Sequence, residues 1–454
     1  MDKILSKVLK RTVPSKKEEK KIKEFADSVI SKIKENNHDA ELEGSLAKGT
    51  WNAGSHDLDI FIFFDNKISR ETLEKEGIRI GKKIIKEYGA EPEIAYAEHP
   101  YVKSEINNFE LDIVPCYTHK KLECLKSAVD RTPFHTKYIK EKLSEKQKNE
   151  VRLLKRFMKG IGVYSARESV HGFSGYLCEL LILKYETFKK TIKSAKNWEH
   201  GLVIDIENYY ENEKTLKNKF DHALIVIDPI DKDRNVAAAL KKNNFDLFIF
   251  AVNEFLKEPK INFFYPNPVE PLSKKVLKKE FKKRSPIFFV KFKAPDLIED
   301  TLYAQLRSSL HSLTSAMKRK DFEFLGSDFF VNNHAYFLLD LEYDELPEVK
   351  RLEGPPTSVS KEDQDAFVQK YKKFDPWLED ERWYVEVPRK LTSAKSAISY
   401  IIKNPRKHGL AKSISKSLKK NSTIIKDLNI TADYEGDFAK CLTVYLTKKK
   451  PWEW

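Results

Sequence analysis

GSLAKGTWNAGSHDLDIFIFF, residues 44–64, is the stretch that decides the fold of this chain. Asp57 and Asp59 begin its apolar run two positions apart, so on a β-strand both carboxylates point to the same face, about 7 Å apart along the backbone. Ser45 lies twelve residues before Asp57, and a Gly44-Ser45 turn offers a phosphate a closely approaching backbone and a hydroxyl. Asp-x-Asp alone is common on exposed strands. Combined with Gly-Ser at this spacing, it predicts a metal-dependent nucleotidyl transfer site.

The length and charge of the chain fit such chemistry. A chain of 454 residues is long enough for roughly two to four domains. It carries 83 Lys and Arg residues against 69 Asp and Glu residues, a net charge of +14. A lysine excess alone is compatible with a solvated surface, but beside a phosphate-chemistry site it favours a polyanionic partner.

The cysteines and the apolar runs indicate the compartment. Cys116, Cys124, Cys178 and Cys441 form no C-x-x-C pair and have no histidine at zinc-site spacing, so we expect reduced thiols. No apolar run reaches the roughly 18–20 residues that span a bilayer. The N-terminus lacks the apolar region of a signal peptide. A cytoplasmic protein without membrane contact is the expectation.

The N-terminal region has the pattern of a small mixed sheet with helices packed on one side. Ser15 begins a capping box and a long amphipathic helix. A strand is expected at 57–64 and a helix at 69–88. Strands at 102–106 and 109–115 form a hairpin whose Asn-Asn turn tolerates positive φ. This order places the acids on adjacent strands.

The remainder of the chain changes from helical to mixed. Ser144 begins a second capping box, and helices are expected at 144–160, 173–190 and, with interruptions, 234–257. A segment rich in proline and aromatic residues, 259–271, indicates a domain junction, after which the pattern becomes α+β. The lysine-rich C-terminal end is expected to be a frayed tail, with contact to RNA as the alternative.

Asp112, within the apolar strand 109–115, is the expected third carboxylate. Nucleotidyl transfer needs a 3′-hydroxyl to attack the α-phosphorus of a nucleoside triphosphate, with two metal ions assisting the attacking and the leaving oxygens. Asp57 and Asp59 can bridge both ions, and Asp112 completes the site on the hydroxyl side. The alternative is an acid at a sheet edge, but an unpaired Asp inside an apolar run is costly to bury.

Lys155 lies within the apolar face of the helix at 144–160. Its amine either snorkels to solvent or reaches a phosphate in the cleft between the first two domains. Tyr164, past two glycines, is expected in the same cleft.

Two further segments are candidates for nucleotide contact. Thr132 precedes a proline and is expected to cap a helix, whose N-terminus with His135 one turn later would face an anion. A polar loop from Asp228, before a helix expected at 236–240, contains Arg234, which either reaches a base edge or phosphate or pairs with the aspartates.

Several motifs together resemble the archaeal-type, class I CCA-adding tRNA nucleotidyltransferases of the polymerase β-like superfamily. They keep their order over most of the chain, although the region beyond about 357 matches poorly. These motifs are the GS-x11-DLD run, LDIVP, DRTPFH, NEVRLLKRFMKGIGVY, HGFSGYLCELLI, DPIDKDRNVAA and RLEGPP.

The resemblance implies an α+β multidomain architecture with a nucleotidyltransferase head at 1–140, a helical neck at 141–262 and an α+β, tRNA-binding body and tail at 263–454. It implies template-independent addition of C, C and A to the tRNA 3′ end from CTP and ATP, with two Mg²⁺ ions. The metal ligands and catalytic residues by this matching are Asp57, Asp59 and Asp112. The nucleotide contacts are Gly44, Ser45, Lys48, Thr132, His135, Lys155, Tyr164 and Arg234.

Two positions depart from the family pattern. Lys48 stands where an arginine is expected, which replaces a bidentate fork with a point charge. Asp57 stands where the archaeal group often has Glu, a change that metal binding should survive.

Other functions remain open at this level. A poly(A)-type or small-molecule nucleotidyltransferase would share the chemistry, although the neck and the basic C-terminal region argue against a small-molecule substrate. An inactive RNA-binding protein is a third alternative, against which the intact acids argue. The expected RNA partner is tRNA, through its acceptor arm and 3′ end. The oligomeric state is open, with a homodimer among the alternatives.

Overall fold

The computed structural model describes residues 1–96, 98–118, 125–284 and 286–454. It divides into two compact units, residues 1–268 with 449–454, and residues 269–448. Both units contain helices and strands, which confirms the α+β class. The division into head, neck, body and tail stays a prediction. Cys124 lies outside the described residues, and the described cysteines Cys116, Cys178 and Cys441 are free thiols.

The first unit contains the segments that the sequence selected. Its helices are α1 (Asp2–Thr12), α2 (Lys16–Glu35), α3 (Gly44–Lys48), α4 (Arg70–Glu87), α5 (Thr132–Lys142), α6 (Glu145–Gly160), α7 (Gly175–Tyr185), α8 (Phe188–Ala195), α9 (Glu213–Lys219) and α10 (Lys242–Lys257). Its strands are β1 (Asp39–Glu43), β2 (Asp57–Phe64), β3 (Glu93–Tyr96), β4 (Pro100–Ile106), β5 (Phe109–Tyr117), β6 (Leu202–Ile204), β7 (Leu224–Asp228) and β8 (Asp231–Asn235).

The N-terminal sheet has the order β1-β2-β5-β4-β3, with β2 and β5 parallel and the other pairs antiparallel. Ile60 of β2 and Ile113 of β5 are buried in one core with the apolar faces of α2 and α4. Since side chains alternate along a strand, the acids of β2 and β5 point to the opposite face. The prediction that the acids lie on adjacent strands is confirmed.

The helix caps expected at Ser15 and Ser144 and the turn expected between β4 and β5 are present in this unit. The Ser15 hydroxyl accepts a hydrogen bond from the Glu18 amide at 3.2 Å at the start of α2. The Ser144 amide donates to the Gln147 side chain at 3.1 Å at the start of α6, as in a capping box. Asn107 has a φ of 52° at the turn between β4 and β5.

The secondary structure of residues 173–257 differs from the prediction. The helix expected at 173–190 is interrupted, because α7 ends at Tyr185 and Glu186 adopts a φ of 69° before α8 begins. The prediction of a polar loop after Asp228 is also wrong, because Asp231–Asn235 forms β8, which pairs antiparallel to β7. Residues 236–239 form turns and not a helix. The strand β8 lies at the edge of a three-stranded sheet with much of its polar surface exposed, and its composition therefore resembled a loop.

The C-terminal end is not a frayed tail. Residues 449–454 belong to the first unit. Trp452 is buried there, with its ring stacked 5.1 Å from that of Phe263. Burial of a large aromatic side chain fixes this segment despite its lysines.

The second unit contains two sheets, ordered β10-β11-β9-β15 and β12-β14-β13. Their strands are β9 (Ile287–Lys293), β10 (Phe324–Val331), β11 (His334–Leu341), β12 (Val349–Pro356), β13 (Trp377–Glu379), β14 (Arg382–Pro388) and β15 (Ser422–Lys426). The helices are α11 (Lys274–Lys282), α12 (Glu299–Lys318), α13 (Lys361–Tyr371), α14 (Ala394–Lys403), α15 (Lys412–Lys420) and α16 (Gly436–Thr447). Across the described ranges, no helix combines the length and the apolarity that crossing a membrane requires.

Candidate active site

A cleft of about 310 Å³ lies on the acid-bearing face of the N-terminal sheet. It gathers eight of the eleven residues predicted for the site, contributed by β2, β5, α3, α6 and the segment after α6. These are Gly44, Ser45, Lys48, Asp57, Asp59, Asp112, Lys155 and Tyr164. The lining also includes polar residues that sequence reasoning had not selected, namely Glu110, Arg167, Tyr176 and Glu179.

The strand register brings the acids together. Asp59 and Asp112 are direct partners in the parallel pair β2–β5, and Asp57 lies one step away on the same face. Burial, with the Asp57 carboxylate as a second cause, raises the pKa of Asp59 to about 6. Burial and the neighbouring Asp59 raise the pKa of Asp112 to about 7. Burial and the neighbouring carboxylates thus both disfavour the charged forms of these acids.

This donor set fits a divalent cation. Within the described part of the chain, no three His, Cys, Asp or Glu side chains are already arranged to enclose a metal ion. Carboxylate oxygens are nevertheless the ligands that Mg²⁺ prefers, and a cation held by Asp59 and Asp112 would offset the burial that is the main cause of their raised pKa values, together with the repulsion that adds to it. The residues present are thus suited to the metal that the sequence predicted.

Gly44 allows the backbone to approach these acids. Its φ is 67°, in the left-handed region, and a Cβ at this position would overlap the Asp59 carboxylate. A larger residue would therefore both strain the backbone and displace Asp59. The close approach of the Asp59 carboxylate therefore requires a glycine at position 44.

Two lysines share one buried carboxylate in the cleft. The ammonium of Lys48, at the end of α3, lies 2.7 Å from Glu179 Oε2, and that of Lys155, in α6, lies 3.0 Å from Oε1. The Thr50 hydroxyl donates to the same Oε1 at 2.5 Å. Burial alone would raise the pKa of Glu179, but Lys155 and Lys48 outweigh burial and lower it to about 2. Lys155 is therefore an internal cation and does not snorkel to solvent.

A second buried carboxylate, Asp228 at the end of β7, gathers two of the other predicted residues. His135 Nε2 lies 2.9 Å from Asp228 Oδ2, and Arg234 Nη1 donates to the same oxygen at 2.7 Å. Burial lowers the pKa of His135, and Asp228 only partly offsets this. Thr132 is the first residue of α5, after a 3₁₀ turn, and Arg131 occupies the N-cap position, so the predicted N-cap role of Thr132 is wrong.

Tyr176 connects the two carboxylate clusters. It lines the cleft, and its hydroxyl donates to Asp228 Oδ1 at 3.0 Å. Its ring lies 4.1 Å from that of His135, between centroids, and the Lys48 ammonium lies 5.5 Å from its ring centroid. One rigid aromatic side chain thus contacts residues of both clusters.

The sequence contained a signal for both acids that were missed. Glu179 lies inside the apolar run LCELLI, and Asp228 ends the apolar run LIVID. An unpaired acid is costly to bury, so an acid in such a run indicates a buried partner. The same reasoning had identified Asp112.

Three family profiles match successive parts of the chain. They are a nucleotidyltransferase domain at 22–151, the second domain of tRNA nucleotidyltransferase at 149–265, and the C-terminal domain of CCA-adding enzyme at 283–427. The first of them includes Asp57, Asp59 and Asp112.

Several curated proteins are similar along most of their length. The CCA-adding enzyme of Archaeoglobus fulgidus is 35% identical over 428 residues, covering 94% of both chains. That of Methanothermobacter thermautotrophicus is 33% identical over 456 residues, covering 99% of this chain and 98% of the relative. A solved structure of the RNA terminal uridylyl transferase Cid1 has a TM-score of 0.47 at 15% identity and covers 60% of this chain and 98% of its own.

Proposed function

The chain belongs to the family of CCA-adding enzymes, and from that premise we propose that Asp57, Asp59 and Asp112 carry out its nucleotide additions. It adds C, C and A to the 3′ end of tRNA from CTP and ATP and releases pyrophosphate. The observation that supports the acid assignment best is the parallel register of Asp59 with Asp112, in a cleft that also holds Lys155 and Tyr164.

Nucleotidyltransferases generally use divalent metals such as Mg²⁺. Our proposal is that Asp57 and Asp59 jointly hold two Mg²⁺ ions and that Asp112 adds a ligand on the side of the attacking hydroxyl. Bound there, the ions would lower the pKa of the tRNA 3′-hydroxyl and stabilise the departing pyrophosphate. The three carboxylates orient the reacting groups, because two strands of one sheet fix their spacing.

The nucleotide contacts fall into two groups in this proposal. Gly44, Ser45, Lys48, Lys155 and Tyr164 take the triphosphate, since they line the cleft beside the acids. Thr132, His135 and Arg234 belong to the second group, in which His135 and Arg234 contact Asp228 and Thr132 lies three positions before His135 at the start of α5. His135 and Thr132 would contact phosphate or sugar, and Arg234 would read the base edge with the donors that Asp228 does not occupy.

We assign one set of tRNA backbone contacts to a basic pocket of the second unit. It lies beside β12 and β14, and Asp321 accepts hydrogen bonds from Lys350 at 2.6 and 2.8 Å and from Arg389. Five cationic side chains against this single carboxylate leave an excess of positive charge that suits phosphate. They are Arg319, Lys320, Lys350, Arg389 and Lys390.

One incubation tests the function. The purified chain is mixed with Mg²⁺, labelled CTP or ATP, and tRNA lacking its last three nucleotides. Addition of C, C and A that stops after the final A supports the proposal. A long homopolymeric tail would indicate a poly(A)-type enzyme, and tRNA binding without incorporation would indicate an inactive RNA-binding protein. A homodimer is a further part of the proposal, and light scattering of the purified chain tests it.

A further inference from the structure

Glu179 lies where three elements of the first unit meet. Its carboxylate, on α7, accepts Lys48 from α3 and Lys155 from α6, and the three side chains are 1%, 8% and 3% exposed. Lys155 also donates to the Thr50 hydroxyl at 3.0 Å, and that hydroxyl is bound to Glu179. Both cations are therefore fixed at defined positions in the cleft.

The charges of this cluster do not balance. A buried ion pair with a purely structural role is satisfied by one cation for each anion, because any excess charge is costly away from water. Here two ammonium groups share one carboxylate, and Lys48 also interacts electrostatically with Asp59. The second ammonium group thus exceeds what a structural pair with Glu179 needs, and both ammonium groups line the cleft, where a phosphate can reach them.

Glu179 also solves a positioning problem. Lysine has a flexible stem, and two ammonium groups brought close together repel each other. The Glu179 carboxylate contacts both ammonium groups and so offsets this repulsion. Lys48 lies in α3, which begins at the Gly-Ser turn, and Lys155 lies in α6. By contacting both, Glu179 also sets their positions relative to the acids of the cleft.

We propose that Glu179 is a positioning residue that holds Lys48 and Lys155 in place for the β- and γ-phosphates of the incoming nucleotide. The inference rests on the proposed function, because it takes the cleft to be the triphosphate site. The ligand class is a nucleoside triphosphate of either base, since among the described residues the hydrogen bonds of Glu179 and Lys155 go to Lys48, Thr50 and each other, and not to Asp228, His135 or Arg234.

The test compares the binding of CTP with that of CMP, which has the same base, sugar and α-phosphate. Equilibrium dissociation constants are measured with Mg²⁺ for the wild type and for Glu179→Gln. We expect the preference for CTP over CMP to fall by roughly ten- to a hundredfold, the value of one charge-assisted hydrogen bond, while CMP binding changes little. ATP against AMP should show the same fall.

The matched control is Glu150→Gln. Glu150 lies in α6, as Lys155 does, but its carboxylate accepts the Phe188 amide at 2.8 Å and does not line the cleft. This variant should keep the wild-type ratio of CTP to CMP affinity. If Glu179→Gln leaves the ratio of CTP to CMP affinity unchanged, whether or not both affinities fall, the inference is overturned, because a merely structural residue would give that result.

A second variant covers a failure of Glu179→Gln to fold. Glu179→Asp keeps the charge but is one methylene shorter, so its carboxylate cannot reach both ammonium groups at their present positions. An intermediate fall in the CTP to CMP ratio supports the inference, and an unchanged ratio refutes it. Failure of the proposed function is a separate outcome, in which the wild type binds CTP but does not extend tRNA.

Discussion

Replacing Arg234 with lysine should change which base the enzyme accepts without destabilising the fold. Arg234 Nη1 donates to Asp228 Oδ2 at 2.7 Å, and the Asp228 side chain is fully buried. A lysine keeps the charge and a donor for Asp228, but it loses the planar fork that can meet two acceptors on a base edge. The two roles of Arg234 can thus be separated by comparing Arg234→Lys with Arg234→Ala.

The magnitudes follow from the contacts. A lost hydrogen bond between a charged group and a base edge is worth about 1.5–3 kcal/mol, or roughly ten- to a hundredfold in the ratio of CTP to UTP use. Because 37% of the Arg234 side chain is exposed, solvent screening favours the lower end of that range. In Arg234→Ala, His135 and Tyr176 still donate to Asp228, so the unfolding free energy should fall by only about 1–2 kcal/mol.

The assay is single-nucleotide kinetics on tRNA lacking its last three nucleotides, with kcat/KM measured separately for CTP, UTP and ATP. Urea unfolding of each variant gives the stability. Both variants should change the ratio of CTP to UTP use, and only Arg234→Ala should lose stability. An Arg234→Lys enzyme with the wild-type ratio would refute base reading by the guanidinium and leave Arg234 as a partner of Asp228.

Four further outcomes are expected. Asp59→Asn should abolish incorporation of both CTP and ATP while tRNA binding, measured by filter retention, stays near wild type; retained C addition would contradict a single metal site. Gly44→Ala should lose most activity with both nucleotides, because a Cβ would overlap the Asp59 carboxylate; wild-type kcat would show that the overlap is relieved cheaply. Lys320→Ala should reduce the slope of log affinity for tRNA against log salt by about 0.9, taking the duplex-DNA value for one phosphate contact, whereas Lys420→Ala, outside the basic pocket, should not. His135 and Arg234 hold the pKa of Asp228 below its usual range despite burial. The charged carboxylate therefore stabilises the fold above the usual aspartate pKa of about 3.9, and this stabilisation is lost as pH falls through the lower pKa that Asp228 has in the folded protein. The stability gap between wild type and Asp228→Asn should therefore close in acid, and a gap that widened there would contradict the assigned ionisation.

The acids were predictable because their signals are local. Alternation along a strand places Asp57 and Asp59 on one face, and the cost of burying an unpaired Asp112 indicates a shared site. Pairing of the two strands then follows from their order and apolar patterns. The structure agrees in detail, with Asp59 and Asp112 in direct register.

The partner of Lys155 could not be predicted from periodicity. Helical spacing shows that Lys155 lies on the apolar face of α6, but it does not show which residue of another helix faces it. Glu179 is 24 positions away in sequence and on α7. Contacts of this kind depend on how helices pack, and only the structure fixes that.

The prediction for the residues of β8 was wrong for a different reason. Its residues, Asp231–Asn235, are all polar, and a polar run next to Asp-Pro reads as a loop. An edge strand with an exposed face has no need of apolar residues, because pairing with β7 supplies its hydrogen bonds. Because of this error, the β7–β8 hairpin that places Arg234 beside Asp228 was not predicted.

If the proposed roles hold, the two carboxylate clusters explain how one set of acids serves two different nucleotides. CTP and ATP share the same triphosphate, so in our proposal the lysines held by Glu179 meet an identical ligand at every addition. The bases differ, and in our proposal they are read at the Asp228 cluster, which reaches the cleft through Tyr176. The acids themselves stand on β2 and β5, whose apolar residues pack in a separate core with α2 and α4. A rearrangement around Asp228 between C and A addition therefore need not move the acids, and we expect base choice and metal geometry to respond to substitution independently.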